Sequence, residues 1–188
     1  MRWRASASRA LLAATIVMAA AAAVVPAGAA TVPAGFPHQS LGNRGVDVKA
    51  IQGFLRHHGV MTERVDGIFG DSTEAAVRAF QGARGLTVDG KVGQHTWAAL
   101  LVRVEPGTTG EAVKALQRQL NEKRAAGVPV DGMYGASTET ALRSSQRHAR
   151  IAETGIAGPV TWQALIRHLE RPVFGSRLCD YQVGNGLA

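Results

Sequence analysis

The sequence is poor in cysteine and in aromatic residues. Cys179 is the only cysteine among 188 residues, so no disulfide within the chain can stabilise the fold. We expect its thiol to stay free or to pair outside the chain. Phe, Trp and Tyr together make up 5% of the residues. The sequence therefore lacks the dense basic stripe interleaved with aromatics that is typical of nucleic-acid binding, and we predict no nucleic-acid partner.

The N-terminal residues are typical of a secretory signal peptide. Three arginines within residues 1–9 precede an apolar run from Ala10 to Val25, and Ala27-x-Ala29 supplies the small residues of a cleavage site. The run is short for a membrane span, which needs about 20 apolar residues. We predict a signal peptide over residues 1–29 and a secreted, extracellular or wall-associated protein without membrane attachment after cleavage. An uncleaved anchor is the alternative.

The charge of the remaining chain is mildly basic. Removal of residues 1–29 lowers the formal net charge from +7 to +4, because that segment carries three arginines and no acidic residue. A mild positive charge suits an anionic partner such as a cell wall. Residues 30–40 contain two prolines and show no periodicity, so we predict a linker there.

The rest of the chain repeats itself at a spacing of 65 residues. When residues 41–101 are compared with 106–166, 23 of 61 positions are identical without any gap. Self-similarity at a fixed period indicates a tandem of similar units. We predict module 1 over residues 41–102, module 2 over residues 104–169, and an irregular tail over residues 170–188.

Each module contains three stretches with helical periodicity, separated by turns rich in Asp and Gly. In module 1, Val48 and Leu55 share one face of the first predicted helix. Asp71 and Glu74 are predicted to form a capping box at the start of the second. Trp97 is predicted to face inward from the third. The fold class is therefore all-α: two tandem three-helix modules with turn-rich connections, which lie side by side because the link between them is short.

Module 2 departs from module 1 at two positions. Ala136 replaces Asp71, so Ser137 is predicted to cap the second helix of module 2 instead. Ser145 replaces Phe80, which removes a large apolar side chain from the inner face. We predict that module 2 has the weaker core, by about 3–5 kcal/mol relative to a phenylalanine there if nothing else fills the space.

These patterns resemble the bacterial peptidoglycan-binding domain of the three-helix type, which is found on cell-wall hydrolases. Module 1 matches the family pattern at Gly45, Val48, Ile51, Gln52, Asp66, Gly67, Phe69, Gly70, Thr73, Phe80, Gln81, Gly90, Gly93, Thr96, Trp97 and Leu100. Module 2 matches it at Gly110, Val113, Leu116, Gln117, Asp131, Gly132, Tyr134, Gly135, Thr138, Gln146, Gly155, Gly158, Thr161, Trp162 and Leu165. The resemblance implies a secreted, non-catalytic protein that binds peptidoglycan and acts as a wall-targeting module.

Two alternatives to this function stay open. Residues 178–186 resemble the segment that joins such modules to a zinc murein-endopeptidase domain. That resemblance implies that the chain is the N-terminal targeting part of a truncated zinc-dependent murein hydrolase. The other alternative is an extracellular protein-interaction module on the same scaffold, because a fold does not by itself fix a function.

We predict no catalytic site, metal site or cofactor. The six histidines form no His-x-His or His-x-x-x-His pattern, and the sequence contains no Ser-x-x-Lys. His57 and His58 are adjacent, so they cannot share one helix face. These patterns favour a function in binding.

The candidate ligand-binding residues lie in and beside the Asp-Gly-x-aromatic-Gly turns. Their polar groups could hydrogen-bond a stem peptide or a sugar of peptidoglycan, and their aromatic rings could stack on it. In the structural alternative, which we favour for the aromatics and glycines, the rings fill the core and the glutamines bond the backbone. Tyr134 stays open between the two, because its hydroxyl can reach water or a ligand. The candidates are Asp66, Phe69, Gly70, Thr73, Arg78 and Gln81 in module 1, and Asp131, Tyr134, Gly135, Thr138, Arg143 and Gln146 in module 2. The sequence leaves open whether peptide or glycan is bound, and whether both modules bind.

Overall fold

The computed structural model describes residues 35–167, and this part of the chain is helical. Its helices are α1 (Val46–His57), α2 (Asp71–Ala83), α3 (Gln94–Leu100), α4 (Glu111–Arg124), α5 (Ala136–His148) and α6 (Pro159–Ile166). Within the described range, β structure is limited to isolated bridges, and no helix has the length and apolar character needed to cross a membrane. The predicted all-α class is confirmed. The predicted signal peptide and tail, with Cys179, lie outside the described residues.

A tryptophan lies at the centre of each module. Trp97 and Trp162 are completely buried, and each donates its indole N–H to a backbone carbonyl 60 residues earlier in the chain. The acceptors are Pro37 O at 2.8 Å and Val102 O at 2.7 Å. These bonds matter because a buried indole N–H without a partner is destabilising. The segment that precedes each set of three helices is thus part of that module's core.

Residues 35–40, predicted as part of a linker, pack against module 1. Gln39 pairs with Val92 in an antiparallel bridge, and the same bridge recurs 65 residues later. Phe36 stacks on Trp97 with the ring centroids 5.4 Å apart. A segment that docks through one ring and one bridge has no periodicity, and periodicity is the signal that sequence reasoning depends on.

The predicted capping box of α2 does not form. The helix begins at Asp71, its N-cap is Gly70 in an extended conformation, and no side chain caps it. Helix α5 begins in the same way after Gly135, so Ala136 replaces a residue of the first turn and Ser137 does not act as the cap. The preceding turn already fixes the backbone of the N-cap glycine, so the helix begins there without a hydrogen bond from a capping side chain.

Helices α1 and α4 pack in opposite directions and join the two modules. Near the start of α1, Asp47 Oδ1 lies 2.8 Å from Lys123 Nζ near the end of α4. At the other end of α1, Arg56 Nε lies 3.5 Å from Glu111 Oε2 at the start of α4. The two ends pair crosswise, which defines the antiparallel arrangement and confirms the predicted side-by-side packing.

The contact between the modules is also apolar and close. The ring of Phe54 meets Trp162 edge-on, with centroids 4.9 Å apart. A Cβ atom added to Gly53 would lie 3.1 Å from the Cβ of Ala115, so the two helices approach tightly at this point. Each module has only about 60 residues, near the lower limit for independent folding, and the shared interface enlarges the core available to both.

Candidate functional site

A buried glutamine fixes the turn that precedes α2. The amide Nε2 of Gln52 donates to Asp66 Oδ1 at 2.8 Å, to Ile68 O at 3.0 Å and to Thr73 Oγ1 at 3.1 Å. Its carbonyl oxygen accepts the backbone N–H of Gly67 at 2.8 Å. One side chain therefore ties the first helix, the turn and the start of the second helix together.

The same arrangement, which we call the glutamine lock, occurs four times within residues 35–167. In each lock the glutamine is 1% exposed and the glycine has a positive φ between 67° and 80°, which a residue with a side chain rarely adopts. The four sets of residues are Gln52, Asp66, Gly67 and Thr73; Gln81, Asp89, Gly90 and Thr96; Gln117, Asp131, Gly132 and Thr138; and Gln146, Thr154, Gly155 and Thr161. Each module is thus built from two similar halves.

The lock carboxylates are held in their charged form. The pKa of Asp66 is lowered chiefly by the amide N–H of Gln52, and the pKa values of Asp89 and Asp131 are lowered chiefly by a backbone N–H two residues further along. A lowered pKa in the folded state means that these bonds stabilise the fold above the unfolded pKa, near 4. That stabilisation is lost as the pH falls through the folded pKa.

Six of the predicted binding residues are buried and make contacts inside the fold. They are Phe69, Thr73, Gln81, Tyr134, Thr138 and Gln146. The two threonines and the two glutamines belong to the locks, and the hydroxyl of Tyr134 donates to the carbonyl of Gly155. Burial raises the pKa of Tyr134 to about 12. These six side chains therefore stabilise the fold, as the structural alternative in the sequence analysis describes.

The other predicted binding residues are exposed or half-buried. Asp66 and Asp131 present an edge of their carboxylates to solvent while serving the locks, and Gly70 and Gly135 precede the second helices. Arg78 and Arg143 each pair with a glutamate one helical turn earlier, at 2.7 Å and 2.8 Å respectively.

Both arginines also brace the loop that leads into the second lock of their module. Nη1 of Arg78 donates to Val88 O at 3.2 Å, and Nη1 of Arg143 donates to the carbonyl of Glu153. Val88 lies between Thr87 and Asp89, which line a groove of module 1. Glu153 lies between Ala152 and Thr154, which line the equivalent groove of module 2.

A surface groove recurs at the same place in both modules, beside the start of the third helix. Its volume is about 500 Å³ in module 1 and about 320 Å³ in module 2. Each of the nine residues that line the module 2 groove lies 65 positions after a residue that lines the module 1 groove. The fold, with its four locks, therefore builds the same concave surface twice.

The two grooves differ in chemistry. The groove of module 1 carries imidazole and ammonium groups, including those of His95 and Lys91. At the equivalent positions, module 2 has Val160, which is 52% exposed, and Ile156. The groove of module 2 is therefore largely apolar, with the guanidinium of Arg103 among its lining groups.

Sequence reasoning missed these grooves for a definable reason. Gln81 lines the groove of module 1, whereas the other predicted binding residues lie outside both grooves. A comparison of repeats selects positions that are identical, and those positions are the ones that the locks and cores require. Seven of the nine shared groove positions differ between the modules, so the comparison passes over them. Within residues 35–167, no group of three or more His, Cys, Asp or Glu is placed to hold a metal ion.

The architecture defines a tandem of three-helix modules with locked turns, and comparison with known proteins identifies its family. The family model of the peptidoglycan binding domain matches residues 44–100 and 109–165, which together are more than half of the chain. The chain belongs to this family. The predicted resemblance is confirmed for both modules.

Several relatives are enzymes of the bacterial cell wall. The chain is 38% identical over 110 residues to the N-acetylmuramoyl-L-alanine amidase CwlM of Mycobacterium tuberculosis, covering 52% of this chain and 27% of that protein. It is 35% identical over 80 residues to the zinc D-Ala-D-Ala carboxypeptidase of Streptomyces albus G, covering 39% of this chain and 28% of that protein. The chain thus spans about a quarter of the length of these two relatives.

A solved structure of the SleB N-terminal domain is also similar in sequence. It is 39% identical to this chain, covers 35% of this chain and 90% of the SleB domain, and has a TM-score of 0.34. The family match by itself places the chain among peptidoglycan-binding proteins, as the sequence predicts.

Proposed function

We propose that the chain is a secreted, non-catalytic wall-targeting protein that binds the stem peptides of peptidoglycan in the two grooves beside α3 and α6. The observation that supports this proposal is the recurrence of the groove. All nine lining positions of module 2 coincide with those of module 1, in a tandem whose family is defined by peptidoglycan binding. Arg78 and Arg143 act as positioning residues, because they brace one wall of each groove.

The choice of stem peptide over glycan follows from the aromatic residues. Proteins commonly bind sugars by stacking them on exposed aromatic rings, but every Phe, Trp and Tyr within residues 35–167 is buried. The grooves instead offer, in module 1, the ammonium of Lys91 and the imidazoles of His38 and His95 beside the carboxylate of Asp89, and apolar side chains in module 2. Stem peptides carry both carboxylates and small apolar side chains, so they supply the complementary chemistry for both grooves.

The test is retention of residues 30–188 on insoluble purified peptidoglycan at low salt and near half-molar salt. Wild type should be retained at both, because a shaped groove does not depend on screened surface charge alone. A Lys91→Ala and His95→Ala double variant should weaken retention through module 1, and Val160→Asp should weaken it through module 2. Met133→Asp is the matched control, because Met133 is 59% exposed and lies outside both grooves.

Competition then separates peptide from glycan. Soluble stem peptides should displace the protein from peptidoglycan, whereas glycan strands stripped of their peptides should not. Displacement by bare glycan would contradict the assignment to stem peptide, and a wild-type chain that is never retained would contradict wall binding altogether. Absence of soluble fragments after prolonged incubation would support a non-catalytic role.

Secretion has its own test. Expression of the full chain with residues 1–29 intact should give an extracellular or wall-associated protein whose N-terminus is near Ala30. Mass spectrometry of the exported protein checks the cleavage site. Recovery of the uncleaved chain in the membrane fraction would favour the anchor alternative.

A further inference from the structure

A pocket at the boundary between the two modules is lined mainly by arginines. Its volume is about 540 Å³. It takes residues from the end of α1 and the loop that follows, and from α4. The lining residues are Arg56, Thr62, Arg64 and Val65 from module 1, and Glu111 and Arg118 from module 2. Neither module forms this pocket alone, and it shares no residue with the two grooves.

The positive charge of this pocket exceeds its negative charge. Nη1 of Arg56 donates to Thr62 O at 2.6 Å and to Glu63 O at 2.7 Å, which fixes the guanidinium in place. The carboxylate of Glu111 is shared between Arg56, at 3.5 Å, and Lys114, at 3.1 Å. Three lining guanidinium groups thus share one lining carboxylate, so the pocket carries a net positive charge.

Arg118 supplies a guanidinium N–H that has nothing to bond. Its Nη1 atom is buried and has no hydrogen-bond partner among the described residues. Burial lowers the pKa of Arg118, and the nearby charge of Arg56 acts in the same direction, while Glu111 and Glu122 oppose them. A buried cationic donor without an acceptor is unfavourable, and an anion beside it removes that cost.

The pocket arginines are also absent from the repeat. The residues 65 positions away from Arg118 and Arg56 are Gly53 and Asn121. A module of this fold therefore does not need these guanidinium groups. They come together only where α1 meets α4, so the tandem arrangement gives them a common surface.

We propose that this boundary pocket binds a carboxylate, with Arg118 and Arg64 as its ligands and Arg56 fixed beside them. A guanidinium group presents a planar pair of donors that matches the two oxygens of a carboxylate. The pocket is large enough for the carboxylate end of a short peptide. We assign this carboxylate to a stem peptide, an assignment that rests on the proposed function. The pocket then gives the tandem a contact with the peptide that neither groove provides.

The experiment measures binding of two soluble probes to residues 30–188 by isothermal titration calorimetry. The probes are N-acetyl-alanyl-alanine, which has one free carboxylate, and its C-terminal amide, which has none. Wild type should bind the acid about tenfold more tightly than the amide, as one charge-assisted pair implies. Arg118→Met should abolish that difference while it keeps the apolar volume of the side chain.

Two further variants make the result specific. Arg147→Met removes an exposed guanidinium outside the pocket and should keep the wild-type preference for the acid. Arg64→Met removes a pocket arginine from an exposed loop position, so it reports on the pocket even if Arg118→Met fails to fold. Equal affinity of wild type for acid and amide, or an unchanged preference in both pocket variants, would overturn the proposal. Competition by inorganic phosphate at lower concentration than the acid would also overturn the carboxylate assignment.

The outcome is separable from that of the proposed function. If the acid binds through Arg118 but the chain is not retained on peptidoglycan, the pocket is supported and the wall-binding proposal fails. If the chain is retained through its grooves but shows no preference for the acid probe, the pocket proposal fails alone.

Discussion

Modules 1 and 2 share their locks but differ in what fills the space beside the second helix. In module 1, Phe80 occupies that space, with the ring of His58 at 5.0 Å and the guanidinium of Arg84 at 5.1 Å from its centroid. In module 2, the equivalent Ser145 is buried and lines an open groove of about 910 Å³. The fold therefore tolerates the loss of a core aromatic while it keeps all four glutamines. Polar bonding at the turns specifies this fold, and the apolar filling mainly sets its stability.

The largest effect should come from removing the filling of module 1. Phe80→Ala should destabilise the chain by about 3–5 kcal/mol, because it leaves a cavity lined by groups that pack on the ring. Chemical denaturation of residues 30–188 measures the change. Ser145→Ala is the matched control and should alter stability by less than about 1 kcal/mol. Equal losses for the two variants would mean that the modules do not differ at this position.

Breaking a lock should have the next largest effect. Gln52→Leu should destabilise the chain by about 3 kcal/mol, because it leaves the buried N–H of Gly67 without an acceptor and removes the bonds that the amide donates to the turn. Gln146→Leu should cost less, because the hydroxyl of Thr154 replaces a carboxylate in that lock. Urea unfolding of the two variants under one set of conditions makes the comparison. A smaller loss for Gln52→Leu than for Gln146→Leu would contradict it.

Placing a ring in the open groove of module 2 should raise the stability of the chain, the opposite of the effect of Phe80→Ala. Ser145→Phe should raise stability by about 2 kcal/mol, less than a fully enclosed ring contributes, because the groove is open to solvent on one side. The thermal midpoint should rise accordingly. Ala79→Phe, at an exposed position of α2 outside this groove, is the control and should give no gain. An unchanged or lower midpoint for Ser145→Phe would show that the groove cannot accept the ring.

The smallest effect should appear in acid. Three locks contain a carboxylate whose pKa is lowered, whereas the fourth contains Thr154. Stability should fall as the pH drops below about 4, because the unfolded chain then binds protons that the folded carboxylates exclude. Asp131→Asn should flatten part of this fall when unfolding is followed from pH 6 to pH 2. A slope identical to wild type would show that the carboxylate of Asp131 is not linked to folding.

The sequence predicted the helices well and the turns poorly. Pro159 is the first residue of α6, a position for which proline has a strong local preference, because its missing N–H costs nothing there. The prediction of a side-chain cap at Asp71 was wrong, because the turn before α2 is held by Gln52 from another helix and no local cap forms. Local propensity does not report such long-range bonds.

The second lock of each module was missed although its signal was in the sequence. The pattern Asp-Gly-x-x-Gly-x-x-Thr occurs at residues 66–73, 89–96 and 131–138, and again at residues 154–161 with Thr in first place. A search at the single spacing of 65 residues compares module with module and does not compare the halves within one. The grooves could not be found in this way, because seven of their nine shared positions differ between the copies.

The locks also have a consequence for the order in which the chain folds. The glutamine side chains reach partners only 8 to 21 residues away. The polar contacts between α1 and α4, in contrast, join residues 55 to 76 positions apart. Contacts between near neighbours in sequence form with little loss of loop entropy, whereas distant ones form more slowly. Each half-module can therefore close on its own glutamine first, and docking of α1 against α4 becomes the late step that completes the native chain.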